Sequence, residues 1–486
     1  MSYPCPRAAA KPLRPEPPSS SPLTRDSDLP GPRTPVVLQS LQWLVKPPLR
    51  WTFELSQRYG DTFRLRVLGP SHAQDQIRRT LIPCTVVVVS KPSHLREVFA
   101  RSRTELQAGE ASKFIRWHAG DDSVVVLDGA AHREERNVLQ DAMRVALLPT
   151  YEQLTRAALI RAFADWPDRG TVSLRKLVRR AGLDAALTSM FGPLDPDILR
   201  HLGSLVDAGA ATTALAPPLM LLPMLQRDLG RWSPGGRVRR ARARFDGFVA
   251  QALAEGRADS GGSAIGSILD ALKESGRCRH GQRETPATVI QRVRTMVSAL
   301  RTAAIAVVWL CYHVLRDSDA RVRVLEAAFD ADAENSERYL EAACQESLRL
   351  NPPFIGGLRR VAAPLNFGGI AWQTGTLVLP HSPLTHRRAE LYPEPDRFRP
   401  ERFLERSFAP EEYAPFGGGI RRCLGEQFAL RQMRILLVEL FRTFELEPLR
   451  VWSRAERRCD TMILPRDPLL TTLRRRSASP GLGPTR

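Results

Sequence analysis

The 486-residue chain is poor in cysteine, and none of it is paired in sequence. Its seven cysteines (Cys5, Cys84, Cys278, Cys311, Cys344, Cys423 and Cys459) are odd in number, far apart, and form no CxxC. This spacing indicates neither a zinc site nor a disulfide framework and fits a reducing compartment, so the cytoplasm is the expected location. An internal repeat and an interdomain linker are also lacking. No apolar stretch in residues 1–36 could serve as a signal peptide or anchor. That segment, rich in Pro, Ser and charge, reads as a disordered tail, and residues 471–486, with "RRRSASPGLGPTR", read as a second, basic one. The expected folded unit is 37–470, one large domain or two, either able to bury a bulky cofactor.

Basic charge is abundant but unclustered. The net charge is +19 and the isoelectric point about 10.4, yet the arginines are scattered along the chain. A nucleic-acid groove needs a concentrated patch; a dispersed basic surface suits an acidic protein partner. Long apolar runs are scarce too. The one that could mimic a membrane span, "MVSALRTAAIAVVWLCYHVL" (296–315), contains Arg301. An arginine at mid-bilayer costs about 2.5–3.5 kcal/mol, and a helix apolar all round is what the centre of a large globular domain requires. The expectation is a buried central helix and no membrane span.

What is present reads as mainly α with a smaller β part (α+β). "LQSLQWLVKPPLRWTFELSQRYGD" opens with helical spacing, and "TFRLRVL" and "CTVVVVS" look like hairpin strands around the polar insertion "GPSHAQDQIRRT". Helical patterns dominate from about 130 to 350, broken by "FGPLDPD", "ALAPPLMLLPML", "WSPGG" and "DSGGSAIG". Strand patterns return at 355–382. The lipophilic "ALAPPLMLLPML" reads either as an entrance lid or as a core helix end broken by prolines.

One cysteine has an unusual setting, "FGGGIRRCLG" (416–425), just ahead of the amphipathic "EQFALRQMRILLVELFRTF". Helix N-terminal N–H groups and nearby cations lower a thiol pKa and suit it to bind a metal. The glycines allow tight turning and close approach to a flat ligand. The alternative is an ordinary buried cysteine in a glycine loop.

Phe416, Gly419, Arg421, Cys423 and Gly425 match the FxxGxRxCxG signature of the cytochrome P450 family, which this stretch closely resembles. "ESLRLNPP" resembles the family's ExxR element, with Glu346 and Arg349 one helical turn apart and Arg402 in "RFRPERF" at the position that ties to them. "DGAAHREERNVL" resembles its propionate-binding helix, through His132 and Arg136; Arg360 in "RRVAAP" and Arg421 match two further propionate contacts. The match runs in order from about 37 to 470. It implies the cytochrome P450-type prism, with haem b (iron protoporphyrin IX) between the long central helix and the helix after the cysteine loop. Cys423 would be the iron ligand, and His132 a hydrogen-bond donor. It also implies a haem-thiolate monooxygenase with a hydrophobic small-molecule substrate, fed by a ferredoxin/ferredoxin reductase-type electron donor. The pocket is expected around Trp117, Ala299, Ala303, Phe354, Ile355, Met462 and Ile463.

The chain departs from the family in its central helix, where A/G-G-x-D/E-T-T/S is replaced by "SALRTA". Thr302 is kept, and Arg301 stands where the acid belongs. A guanidinium stays charged and cannot relay protons as a carboxylate can. Arg301 either pairs with an acid outside the pocket, leaving Thr302 and water to deliver protons, or faces the pocket and anchors a substrate carboxylate. Arginines here mark the family's peroxide-driven fatty-acid peroxygenases, though those lack the threonine. A haem-binding protein without turnover is a third reading.

Overall fold

A computed structural model describes residues 23–70, 81–141, 143, 148–213, 227–230, 232–254, 285–330, 333–459 and 462–477. Its longest element is the central helix Pro286–Arg316. Thr285 caps its start, accepting from the Thr288 N–H, and Pro286 occupies the first turn, where no N–H is needed. Asp317 ends it and caps the next helix, Ser318–Phe329, by accepting from the Ala320 N–H at 2.9 Å.

The central helix is the axis of the main core. Ile305 to Tyr312 are all buried among Leu174, Val178, Met433, Leu436, Leu440 and Phe444 of neighbouring elements. It crosses Leu174–Phe191 closely at Gly182, where a Cβ would stand 3.2 Å from Ala304, and it packs along the helix Glu426–Thr443. Of its most apolar window, 72% is buried, which is the condition of a core helix.

The main sheet has five strands in the spatial order Thr62–Pro70, Leu81–Val89, Leu377–Pro380, Arg359–Val361, Leu106–Gln107, all antiparallel neighbours except the parallel second pair. Phe63 and Leu65 alternate inward, whereas Val86 to Val89 are buried without alternation because both faces of that strand are covered. The expected hairpin is therefore formed, around an insertion that lies largely outside the described residues.

Both expected tail boundaries need correction. Thr24–Arg25 pairs in parallel with Ile370–Ala371, and the carboxylate of Asp26, 2% exposed, accepts from the Gln373 N–H at 2.8 Å and the Thr376 hydroxyl at 2.6 Å. Residues 23–36 thus belong to the fold. At the other end Leu470–Arg475 is a strand between Phe444–Pro448 and Arg169–Ser173, so order continues past 470. Local composition conceals these segments, because their backbone partners are hundreds of residues away. "ALAPPLMLLPML" (214–225) and "DSGGSAIG" lie outside the described residues.

Candidate haem-thiolate site

The cysteine loop is shaped by close approach to the end of the helix Pro92–Arg101. A Cβ on Gly418 would come within 2.3 Å of the Phe99 ring, and one on Gly419, which has φ +62°, within 2.3 Å of the Phe99 carbonyl oxygen. Only glycine fits either place. The loop closes on itself where the Cys423 N–H donates to the Phe416 carbonyl at 2.9 Å, and Gly425 then leads into the helix Glu426–Thr443.

The Cys423 thiol is exposed, whereas Cys311 and Cys344 are buried; Cys84 is half-buried. Atoms crowded beside Cys423 still desolvate it, and that burial raises its pKa above the ordinary thiol value. The Gly425 N–H, Arg136 and Arg422 act in the opposite direction and Glu426 adds to the rise. The expected lowering groups are present, but in the protein alone desolvation outweighs them.

Next to this loop lies a cluster with a surplus of cations. Arg421 donates to the Val124 carbonyl at 3.0 Å and to the Leu127 carbonyl and Asp128 carboxylate at 2.5 Å each. Arg136 donates to the Arg422 carbonyl at 2.7 Å. Arg359, 5% exposed, has its pKa pushed down to about 10 by burial and by Arg421, with Asp128 opposing. His132, 1% exposed, is held at about 4 by burial, then by Arg421 and Arg136, so it is neutral at physiological pH. The His132 Nδ1 and the Arg421 Nε are buried without a hydrogen-bond partner. Asp128 is ion-paired to Arg421 and acts on Arg359 through its charge, Arg136 is held by a carbonyl, and two polar atoms stand unsatisfied. A ligand carrying two carboxylates answers both conditions, so these residues fit haem.

Arg360 is not part of this cluster. On the strand Arg359–Val361 neighbouring side chains point to opposite faces. Arg360 lies half-buried near Glu110, at 4.0 Å, while Arg359 takes the face shared with His132 and Arg421. Arg359 also donates to the Ser102 hydroxyl at 3.1 Å and to the Gly357 and Leu358 carbonyls at 2.9 and 3.1 Å; which of two adjacent arginines faces inward is set by the pleat of the strand, which the sequence does not give.

The Glu346–Arg349–Arg402 network is assembled as expected. Glu346 and Arg349 are fully buried and doubly bonded, Nε to Oε2 at 2.7 Å and Nη2 to Oε1 at 2.9 Å. The Arg402 Nε donates to the Glu346 Oε1 at 3.0 Å, and the Arg399 N–H reaches the same oxygen at 2.8 Å. Arg349 further holds the carbonyls of His386, Pro395 and Arg397. One carboxylate and one guanidinium thus fix the segment that leads to the cysteine loop. A second buried pair escaped sequence reasoning: Glu135 and Arg292, 3% and 2% exposed, join the His132 helix to the central helix at 2.9 Å. Arg292 within a largely apolar helix was the available signal.

Over the middle of the central helix the less-buried positions are Arg294, Thr295, Ser298, Ala299, Arg301 and Thr302, with Ala299 exposed. At about 100° per residue they form one arc, with Arg301 and Ala299 at its two edges. Arg301 makes no ion pair or hydrogen bond with any described residue, so the expectation of an acidic partner outside the pocket finds no support there. The Thr302 hydroxyl contacts the Met462 sulfur at 3.4 Å. Of the other expected lining residues, Phe354 is exposed and Ile355 half-buried, while Ala303 and Met462 are buried. Ile463 is a correction. It is 2% exposed inside the main core, tied by its carbonyl to the Trp309 indole N–H at 2.9 Å and by its N–H to the Pro353 carbonyl at 2.9 Å. The Trp117 side chain lies outside the described residues.

The family model described as Cytochrome P450 matches residues 29–471. Among named relatives, cytochrome P450 135A1 of Mycobacterium tuberculosis is 29% identical over 426 residues, covering 86% of this chain and 88% of the relative. Cytochrome P450 135B1 of Mycobacterium bovis is 30% identical over 434 residues, covering 86% and 85%. A solved structure, retinoic acid-bound cyanobacterial CYP120A1, superposes with a TM-score of 0.74 at 23% identity, covering 90% of this chain and 96% of that one.

Proposed function

The chain belongs to the cytochrome P450 family, and from that premise we propose that it inserts one oxygen atom from dioxygen into a hydrophobic organic substrate bearing a carboxylate. As a family member it is an oxidoreductase of the monooxygenase class that binds haem b. When bound, a thiolate-ligated haem supplies oxygen activation, because the sulfur pushes electron density toward O–O cleavage. Cys423 would ligate the iron; His132, Arg136, Arg359 and Arg421 would hold the propionates; Thr302 would offer its hydroxyl for proton delivery on the open arc of the central helix.

The observation that carries the carboxylate is Arg301, a half-buried guanidinium on the same arc as Thr302, with no partner among the described residues. An unpartnered cation facing the open arc favours an anion that the substrate can bring. The cyanobacterial neighbour is described with retinoic acid bound, and in that protein the fold accommodates an apolar acid. Arg301→Ala should weaken acids by the ~1.5–3 kcal/mol of a charge-assisted hydrogen bond, roughly tenfold to a hundredfold, while sparing matched neutral analogues. Titrating the haem spin-state shift with acid and amide pairs measures this. Equal weakening of both would remove the anchor.

The basic surface of the chain, at +19, supports an acidic ferredoxin-type donor, whose association would slow as salt rises. Product formed with ferredoxin and its reductase, and uncoupled from electron use in Thr302→Ala, is the expected behaviour. Faster turnover on hydrogen peroxide alone, tolerant of Thr302→Ala, would replace this reading with a peroxygenase.

The two adjacent arginines give a sharper structural test. Arg359→Ala should accelerate loss of haem to apomyoglobin by about tenfold or more, the effect of deleting one charge-assisted contact, whereas Arg360→Ala should stay near the parent rate. Equal rates would put neither residue on the propionates.

A further inference from the structure

The first helix, Val36–Val45, is inside out. Its polar residues Gln39 and Ser40 are 1% and 4% exposed. They complete the neighbouring strand: the Gln39 Oε1 accepts from the Arg66 N–H at 2.9 Å, and the Ser40 hydroxyl from the Leu68 N–H at 2.8 Å. The Gln39 amide also donates to the carbonyls of Pro32 and Thr34 at 3.1 and 2.7 Å. With the polar side bonded inward, large aliphatic residues face outward: Val37 is 66% exposed, Leu38 41%, Leu41 55% and Val45 70%. Val37, Leu41 and Val45 recur every fourth residue and so form a stripe. Single exposed aliphatics are ordinary, but a continuous stripe on a helix marks contact with something apolar.

Charge identifies the occupant. Between Asp28 and Glu54 the sequence has no acidic residue and three exposed cations flanking the helix at both ends, Arg33, Lys46 and Arg50, of which Arg50 is ion-paired to Glu54 at 3.0 Å. We propose that this helix lies flat in the surface of an anionic lipid bilayer, its aliphatic stripe among the acyl chains and its flanking cations at the headgroups. Ten residues make about 15 Å of helix, too short for the ~20 residues of a span but suitable for interfacial seating. A second copy is a poorer occupant, because the cations at the ends of the helix would face their own counterparts. Apolar insertion with electrostatic attraction also predicts how binding responds to lipid and salt.

The test is flotation of the full-length haem-loaded protein with vesicles of phosphatidylglycerol and phosphatidylcholine mixed equally, and of phosphatidylcholine alone. The protein should float with the anionic vesicles, bind the neutral ones weakly, and be released as salt rises well above about 0.1 M, where the screening length is already only ~10 Å. The variant Val37→Ser/Leu38→Ser/Leu41→Ser/Val45→Ser should lose at least tenfold in partitioning, with its carbon monoxide spectrum and thermal unfolding unchanged. Failure of the parent to float overturns the proposal, as does unaltered flotation of the variant. Concentration-dependent dimers in sedimentation, abolished by the variant without any vesicle binding, would assign the face to a second copy instead.

Discussion

Cys423→Ser is expected to abolish the thiolate-type Soret band of the reduced carbon monoxide complex, and Cys423→His should not restore it. The loop leaves no substitute among Cys84, Cys311 and Cys344, the other cysteines whose side chains are described. Cys311 and Cys344 are buried, and burial raises both thiols, Cys311 to about 12, while Cys84 is raised as well and sits beside Gly69. Of these four, Cys423 alone combines exposure with the Gly425 N–H and with Arg136 and Arg422 at hand. Because desolvation keeps the free thiol protonated at neutral pH, iron must displace that proton, so haem uptake should release it and weaken as pH falls. Persistence of the thiolate band in Cys423→Ser would name another ligand and remove the basis of the proposed chemistry.

Glu346→Ala should be nearly as severe, through stability. The Glu346 carboxylate accepts from Arg349, Arg402 and the Arg399 N–H in a site with no solvent exposure. Its removal leaves two buried guanidiniums without their anion, and breaking one partner of such a pair typically costs about 3–5 kcal/mol. Against a typical total of about 5–15 kcal/mol, little folded, haem-loaded protein should remain. Thermal unfolding and haem content measure this. Glu346→Gln, which keeps the shape and one acceptor oxygen but turns the other into an NH2 donor and removes the charge, should fall between Glu346→Ala and the parent. A Glu346→Ala protein that unfolds at the parent temperature with full haem content would show that the arginines are satisfied by the carbonyls of His386, Pro395, Arg397 and Pro393 alone.

What could be read without coordinates was what local chemistry encodes. The five fixed positions around Cys423, the central helix apolar on every side, the hairpin alternation at Phe63 and Leu65, and the one-turn spacing of Glu346 and Arg349 are short-range patterns, and each appears where the chain places it. The sequence alone therefore determined the family and the mainly helical class, and it singled out Cys423 for the proposed ligand. Tertiary structure decided whatever depends on which side of an element meets which distant partner. It turned Arg359 rather than Arg360 toward His132, buried Ile463 in the core, and brought Asp26 under Gln373 and Thr376. It also left Arg301 without a described partner, and faced Gln39 and Ser40 inward so that Val37, Leu38, Leu41 and Val45 meet the outside. The physical reason is common to these cases. Periodicity states that an element has two faces, but which face becomes the inside is set by hydrogen bonds and packing partners tens to hundreds of residues away, and only the folded chain brings them together.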